Sequence, residues 1–274
     1  VSPSLGELDE AAFDDLFDDD PETALGLLSL MAQATDANLA RLSRRLAGRL
    51  MLELARMGKA TGRGIGKLTT VKANLTDGDI DLDASMDAIV AARGDRRPID
   101  IGDLVAHAWK RPDTAICLVI DRSGSMNGER LAGAALGAAA CAWKAPSEFA
   151  VLVFSNTVVA VKSLTQPKSP DQVVADILSL RGHGTTDVAL ALRAAHQQLA
   201  DSKASRRLTI LLSDAEVTTG GDPGPIARSL AELAIVAPSD ETDHAYALAA
   251  ECGARVATIS TPLSVLAALQ EVVG

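Results

Sequence analysis

In the stretch "AICLVIDRSGSMNGERLAG", residues 115–133, three oxygen-bearing side chains stand at alternate positions: Asp121, Ser123 and Ser125. They follow a short apolar run, residues 115–120, of the kind that reads as a core strand. Gly124 between the serines relaxes the backbone. Alternate residues of an extended turn can aim at one point, and a point lined only by oxygen suits a hard divalent cation, Mg2+ or Mn2+. The same residue types also make an ordinary strand-to-helix turn, with Ser125 or Asn127 capping a helix over 129–143, so oxygens from elsewhere must decide. Two later segments offer them. "RGHGTTDVALAL" is a Gly-rich stretch that opens a helix and brings a threonine hydroxyl, and "LTILLSDAEV" is an apolar strand that ends in Ser213, Asp214 and Glu216.

Three loops meet only if the fold sends them to one edge. From Thr114 onward the chain alternates candidate strands (115–120, 149–154, 158–162, 207–213, 233–237, 255–259) with helical patterns (129–143, 171–180, 187–200, 224–232, 243–252, 262–272). This alternation predicts an α/β fold: a doubly wound, mostly parallel sheet covered on both faces. The 149–154 and 158–162 pair, joined through Ser155 and Asn156, predicts a hairpin with one antiparallel edge strand. In such sheets the site lies at the carboxyl ends of the parallel strands, where Asp121 falls.

On these residues the sequence resembles the von Willebrand factor A (VWA) domain, whose metal-ion-dependent adhesion site is written D-x-S-x-S, then a Thr in a Gly-rich loop, then an Asp after a later strand. Here D-R-S-G-S is Asp121, Ser123 and Ser125; G-T-T-D places the threonine at Thr186, with Thr185 its alternative; S-D-A-E places the later aspartate at Asp214. Many relatives carry Gly-Gly-Thr where this chain has Gly184, Thr185 and Thr186, preceded by His183. The resemblance covers residues 113–274. The approach to the motif, "DIDLDASMDAIVAARGDRRPIDIGDLVAHAWKRPDTAICLVIDRSGSM", resembles the bacterial intracellular branch seen in magnesium chelatase D subunits and in VWA proteins paired with MoxR-type AAA+ ATPases.

The resemblance implies a binding module: Mg2+ (or Mn2+) at Asp121, Ser123, Ser125, Thr186 and Asp214, a protein ligand offering a Glu or Asp carboxylate, and an AAA+ ATPase ring as partner. Its alternative is a chelatase D-like subunit in metal insertion into a tetrapyrrole. Two carboxylates and three hydroxyls only partly offset a divalent charge, and an octahedral ion takes some of them through water, which leaves room for a carboxylate in trans. Catalysis is not expected. A phosphotransfer site built on an aspartate nucleophile usually has a second acid two residues on, where this chain has Ser123, and no Gly-x-Ser-x-Gly elbow surrounds either serine.

The chain has 274 residues, 47% apolar but only 3% aromatic, so its core must be aliphatic. A net charge of -10 argues against nucleic acid as partner. No stretch reaches the roughly 18–20 apolar residues of a membrane helix, and the N-terminus lacks a basic-then-apolar leader, so no membrane association and a cytoplasmic location are expected. Cys117, Cys141 and Cys252 lie in apolar surroundings, as reduced core thiols do.

Before the motif, residues 1–40 hold no Lys or Arg and the acidic run "GELDEAAFDDLFDDDPE", whereas residues 41–72 are strongly basic. Leu39, Leu42, Leu46, Leu50, Leu54 and Met57 predict an amphipathic helix with Asp36 as N-cap and Gly58 as stop. "KLTTVKANLTDGDIDLD" predicts a β-hairpin turning at Asp77 and Gly78. Neither a calcium loop at Asp79, Asp81 and Asp83 nor a phosphate loop at "TGRGIGKLTT" survives counting of its required positions. The division expected is an acidic segment over 1–35, a helical and hairpin extension over 36–112, and the VWA domain over 113–274.

Overall fold

The central strand, β4 (Thr114–Asp121), is apolar from Ala115 to Ile120 because it is covered on both faces. Ile116, Leu118 and Ile120 enter one core layer, and Ala115, Cys117 and Val119 enter the other. The structure, a computed structural model, describes residues 10–32, 43, 47–48, 51, 67–72, 79–110, 114–122, 128–145, 148–180 and 184–273. Its contacts divide the chain into one unit of Val1–Gly62 with Thr114–Gly274 and a second of Arg63–Asp113.

In the larger unit β4 is followed by α4 (Gly128–Lys144), β5 (Phe149–Phe154), β6 (Val158–Lys162), α5 (Pro170–Leu178), α6 (Val188–Ala200), β7 (Arg206–Leu212), α7 (Gly224–Ser229), β8 (Glu232–Pro238), α8 (Asp243–Cys252), β9 (Arg255–Ile259) and α9 (Ser264–Val273). The strand order is β6-β5-β4-β7-β8-β9, parallel except for the β5–β6 edge pair. This is the doubly wound sheet the alternation predicts. Helices α4, α5 and α9 close one face, and α6, α7 and α8 the other. From β4 the chain first builds outward through β5 and β6, then returns to lay β7 on the other flank. The crevice between the ends of β4 and β7 is therefore the topological switch point, where loops diverge and leave room for a ligand.

The amino edge of the same sheet is closed by charge pairing. Arg206, Glu232 and Arg255 begin three adjacent strands. Arg206 grips Glu232 through Nε (2.9 Å to Oε1) and Nη2 (2.8 Å to Oε2), Arg255 adds a contact of 3.0 Å, and Arg206 Nη1 also donates to the Val273 carbonyl. The Arg206 hydrogen bond holds the Glu232 carboxyl below its ordinary pKa. At the end of β6, buried Lys162 donates to the carbonyls of Phe149 (2.7 Å) and Ser163 (3.1 Å) and lies 4.3 Å from the centre of the Phe149 ring. Burial lowers its pKa.

Part of the acidic N-terminal segment is helical. Helices α1 (Glu10–Asp19) and α2 (Pro21–Ala32) bury Phe13, Phe17, Leu25 and Leu28 in the same core layer as α4. Acids dominate the composition there, but the apolar residues recur at helical spacing and need only one face. Asp20 caps α2, accepting from Thr23 N–H (3.1 Å) and Thr23 Oγ1 (2.7 Å), with Pro21 opening the helix. Of the expected helix over 39–57, Ser43, Ala47 and Met51 are buried on one stripe; Asp36, Leu39, Leu42, Leu46, Leu50, Leu54, Met57 and Gly58 lie outside the described residues.

In the smaller unit, β1 (Lys67–Lys72) and β2 (Asp79–Ile80) exist, but they do not pair as the expected hairpin. A third strand, β3 (Val105–Lys110), lies between them and pairs antiparallel with both, giving the order β1-β3-β2. An Asp-Gly signal favours a turn but cannot choose the partner: β2 offers two residues, whereas β3 offers β1 a six-residue register. Helix α3 (Met86–Gly94) connects β2 to β3 by way of a 3-10 turn at Ile101–Asp103. Ser85 ties this connection together, its hydroxyl donating to Asp81 O (2.6 Å) and accepting from Val105 N–H (2.9 Å). Among the described residues no helix is long and apolar enough to cross a membrane.

Candidate metal centre

Asp121 is the last residue of β4, and Asp214 stands two residues beyond the end of β7, so the switch point brings the two acids to one crevice. One hydroxyl joins them. Ser213 Oγ donates to Asp121 Oδ2 at 2.7 Å, stands 3.4 Å from Asp214 Oδ1, and accepts from the Ala215 N–H at 3.0 Å. Its single proton goes to the nearer oxygen. Asp214 Oδ1 accepts instead from the Glu216 N–H at 2.9 Å, and its Oδ2 has no hydrogen bond among the described residues. This tight turn holds Ala215 in the left-handed region at φ 61.

The threonine segment reaches the same edge. Gly184 turns at φ 94 against Ser155, Thr185 is exposed and Thr186 is 4% exposed. The Thr186 hydroxyl makes no hydrogen bond to the described residues, while its N–H donates to Thr218 Oγ1 at 2.7 Å. Asp187 next to it donates its N–H to the Ser155 carbonyl (3.0 Å) and caps α6 by accepting from Leu190 N–H (2.8 Å). Asp121, Thr186 and Asp214 thus lie at one end of the sheet. Ser123, Ser125 and His183 lie outside the described residues.

The donors at this edge are carboxylate and hydroxyl oxygens, and among the described residues Asp214 Oδ2 and Thr186 Oγ1 have no hydrogen-bond partner. Such a set fits Mg2+ or Mn2+ and would be poor for a soft metal. Among the described residues no group of three His, Cys, Asp or Glu side chains stands together. Cys117 and Cys141 are buried free thiols; burial raises both, that of Cys141 to about 12, so neither offers a thiolate.

A family model described as "VWA domain containing CoxE-like protein" matches residues 53–272. The chain belongs to the CoxE-like VWA family. CoxE is associated with MoxR-type ATPases. No curated protein matches the CoxE-like chain. Among solved structures it is similar to the von Willebrand factor type A protein from Catenulispora acidiphila (18% identity, 61% of this chain and 43% of that one, TM-score 0.46). It is also similar to the conserved hypothetical protein BatB from Bacteroides thetaiotaomicron (14%, 58% and 97%, TM-score 0.47) and to the manganese-loaded TRAP protein of Plasmodium vivax (15%, 59% and 74%, TM-score 0.45).

Residues that carry the geometry of the CoxE-like site went unassigned in the sequence. Ser213 stands directly before Asp214, and a hydroxyl between two acids is the signal that could have marked it. Ser155 contributes through its backbone, which leaves no signal in side-chain type.

Proposed function

We propose that this chain is a divalent-cation-dependent protein-binding module that works as adaptor to a MoxR-type AAA+ ATPase, with no catalytic residue of its own. Asp121, Ser123, Ser125, Thr186 and Asp214 hold Mg2+ or Mn2+, directly or through water. The observation that supports this reading is the placement of Asp121, Thr186 and Asp214 at one end of the sheet, with Asp214 Oδ2 and the Thr186 hydroxyl making no hydrogen bond among the described residues. When bound, the cation supplies a positive charge and an exchangeable coordination position.

The chain's own residues do the rest. The Ser213 hydroxyl donates to Asp121 and the Glu216 N–H donates to Asp214, and each bond fixes the orientation of its carboxylate. A Glu or Asp carboxylate of a protein partner is the ligand class that complements such a centre. Free buried thiols accord with a reducing, cytoplasmic setting. Calorimetric titration with Mn2+ tests the proposal: the wild type binds, and Asp121→Ala loses binding while keeping its fold. Equal affinity in the two would overturn it.

A further inference from the structure

The hydrogen bonds at the carboxyl edge close into a circuit. Arg122 N–H donates to the Phe154 carbonyl (2.8 Å), Asp187 N–H to the Ser155 carbonyl (3.0 Å), Thr186 N–H to Thr218 Oγ1 (2.7 Å), and Ser213 Oγ to Asp121 Oδ2 (2.7 Å). Covalent chain spans the intervals 121–122, 154–155, 186–187 and 213–218. Two of the four links are backbone to backbone and persist whatever the side chains. The link to Asp121 runs through the Ser213 hydroxyl, and the Thr186 N–H is held by the Thr218 hydroxyl, beside two backbone bonds from the same segment to the Thr186 carbonyl. Ser213 touches an acid of the site itself, whereas Thr218 touches none and belongs to no part of the motif.

What Thr218 does is hold a peptide. Its hydroxyl takes the Thr186 N–H, and the N–H groups of Thr218 and Thr219 both reach the Thr186 carbonyl, at 3.1 and 3.2 Å. Gly220 then turns the segment at φ +89 directly onto Asp187, so closely that a Cβ there would stand 2.3 Å from Asp187 Cγ. Both polar groups of the Thr186 backbone are therefore fixed by one short segment, which is continuous with the Asp214 turn. Threonine is stiff at χ1, so a fixed backbone also restricts where its hydroxyl points.

We infer that Thr218 is a positioning residue of the metal centre: it sets the direction of the buried Thr186 hydroxyl relative to Asp214 by anchoring the Thr186 peptide. The inference rests on the proposed reading of Asp121, Thr186 and Asp214 as ligands. Outer residues that orient metal ligands typically govern about ten- to hundredfold of affinity.

The test is Mn2+ titration by calorimetry on the full chain, with folding checked by circular dichroism and thermal melts. Thr218→Val, close in shape but without the acceptor, should bind about tenfold more weakly than wild type. Thr218→Ser restores the acceptor and should restore affinity. Thr219→Ala should bind as wild type, because Thr219 reaches Thr186 only through its backbone N–H. If the valine variant does not fold, Thr218→Ala carries the same comparison. Wild-type affinity in Thr218→Val or Thr218→Ala, with or without a lower melting point, while Asp121→Ala loses binding, overturns the role of Thr218 and leaves the metal reading standing. Equal binding by wild type and Asp121→Ala overturns both.

Discussion

The two edges of the six-stranded sheet are built from the same strands and finished in opposite ways. At the amino edge, Glu232 is bracketed by Arg206 and Arg255, and Lys162 is wrapped in carbonyls and an aromatic face, so charge is answered within the chain. At the carboxyl edge, Asp121 and Asp214 share a serine, and among the described residues Asp214 makes no ion pair and the hydroxyl of buried Thr186 makes no hydrogen bond. An edge that satisfies its own polar groups serves stability. One whose acceptors lack partners among the described residues has oxygens to offer a cation from outside.

That contrast can be broken from either side. The largest effect is expected for Asp214→Ala, which should cut Mn2+ affinity by about a hundredfold, the upper range for loss of a residue in a metal site. Its melting temperature without metal should hold or rise, because one of two neighbouring acids is gone. Calorimetry paired with thermal melts reads both, and a destabilised variant with intact metal binding would reverse the assignment of the edges.

Glu232→Gln should do the opposite: it loses about 1–3 kcal/mol of stability, the scale of charge-assisted hydrogen bonds, and keeps wild-type Mn2+ affinity. Urea unfolding measures the first and titration the second. The same residue gives a pH signature. Because its folded pKa is depressed, Glu232 contributes fully above the unfolded carboxyl value and its contribution is lost as pH falls through the lower folded value. The Gln variant should therefore show a shallower loss of stability in acid than the wild type, and parallel curves would sink the idea.

The smallest effect is expected at Lys162. Replacing a buried charge that has no carboxylate partner among the described residues by Met removes a desolvation cost along with two hydrogen bonds, and the two should cancel to within about 1 kcal/mol. A larger loss in urea unfolding would mean that the ammonium is held more favourably than its carbonyls and ring suggest.

The sheet was legible because its strands are apolar runs separated by helical periods, and both signals are local. Boundaries moved by one to three residues, most visibly where α7 ends at Ser229 and β8 begins at Glu232. The place of Asp121 and Asp214 was legible too, since strand ends at a switch point follow from alternation alone. The N-terminal helices were obscured because acids dominate their composition, while Phe13, Phe17, Leu25 and Leu28 carry the packing. The smaller sheet was misread because a turn signal is local whereas strand pairing is not: Val105–Lys110 enters from 25 residues beyond β2. Thr218 was invisible for a related reason, since its hydroxyl serves a backbone N–H 32 residues away.

Ala215 shows what the carboxyl edge gives up. A side chain at φ 61 carries steric strain that glycine would not, and Ala215 is nearly buried, with its N–H on the serine that joins the acids. Glycine there would ease the fold and widen the range of turns open to Asp214. Keeping a methyl at that point trades comfort for aim, so selection for a sturdier protein and selection for a sharper site would pull this one position in opposite directions.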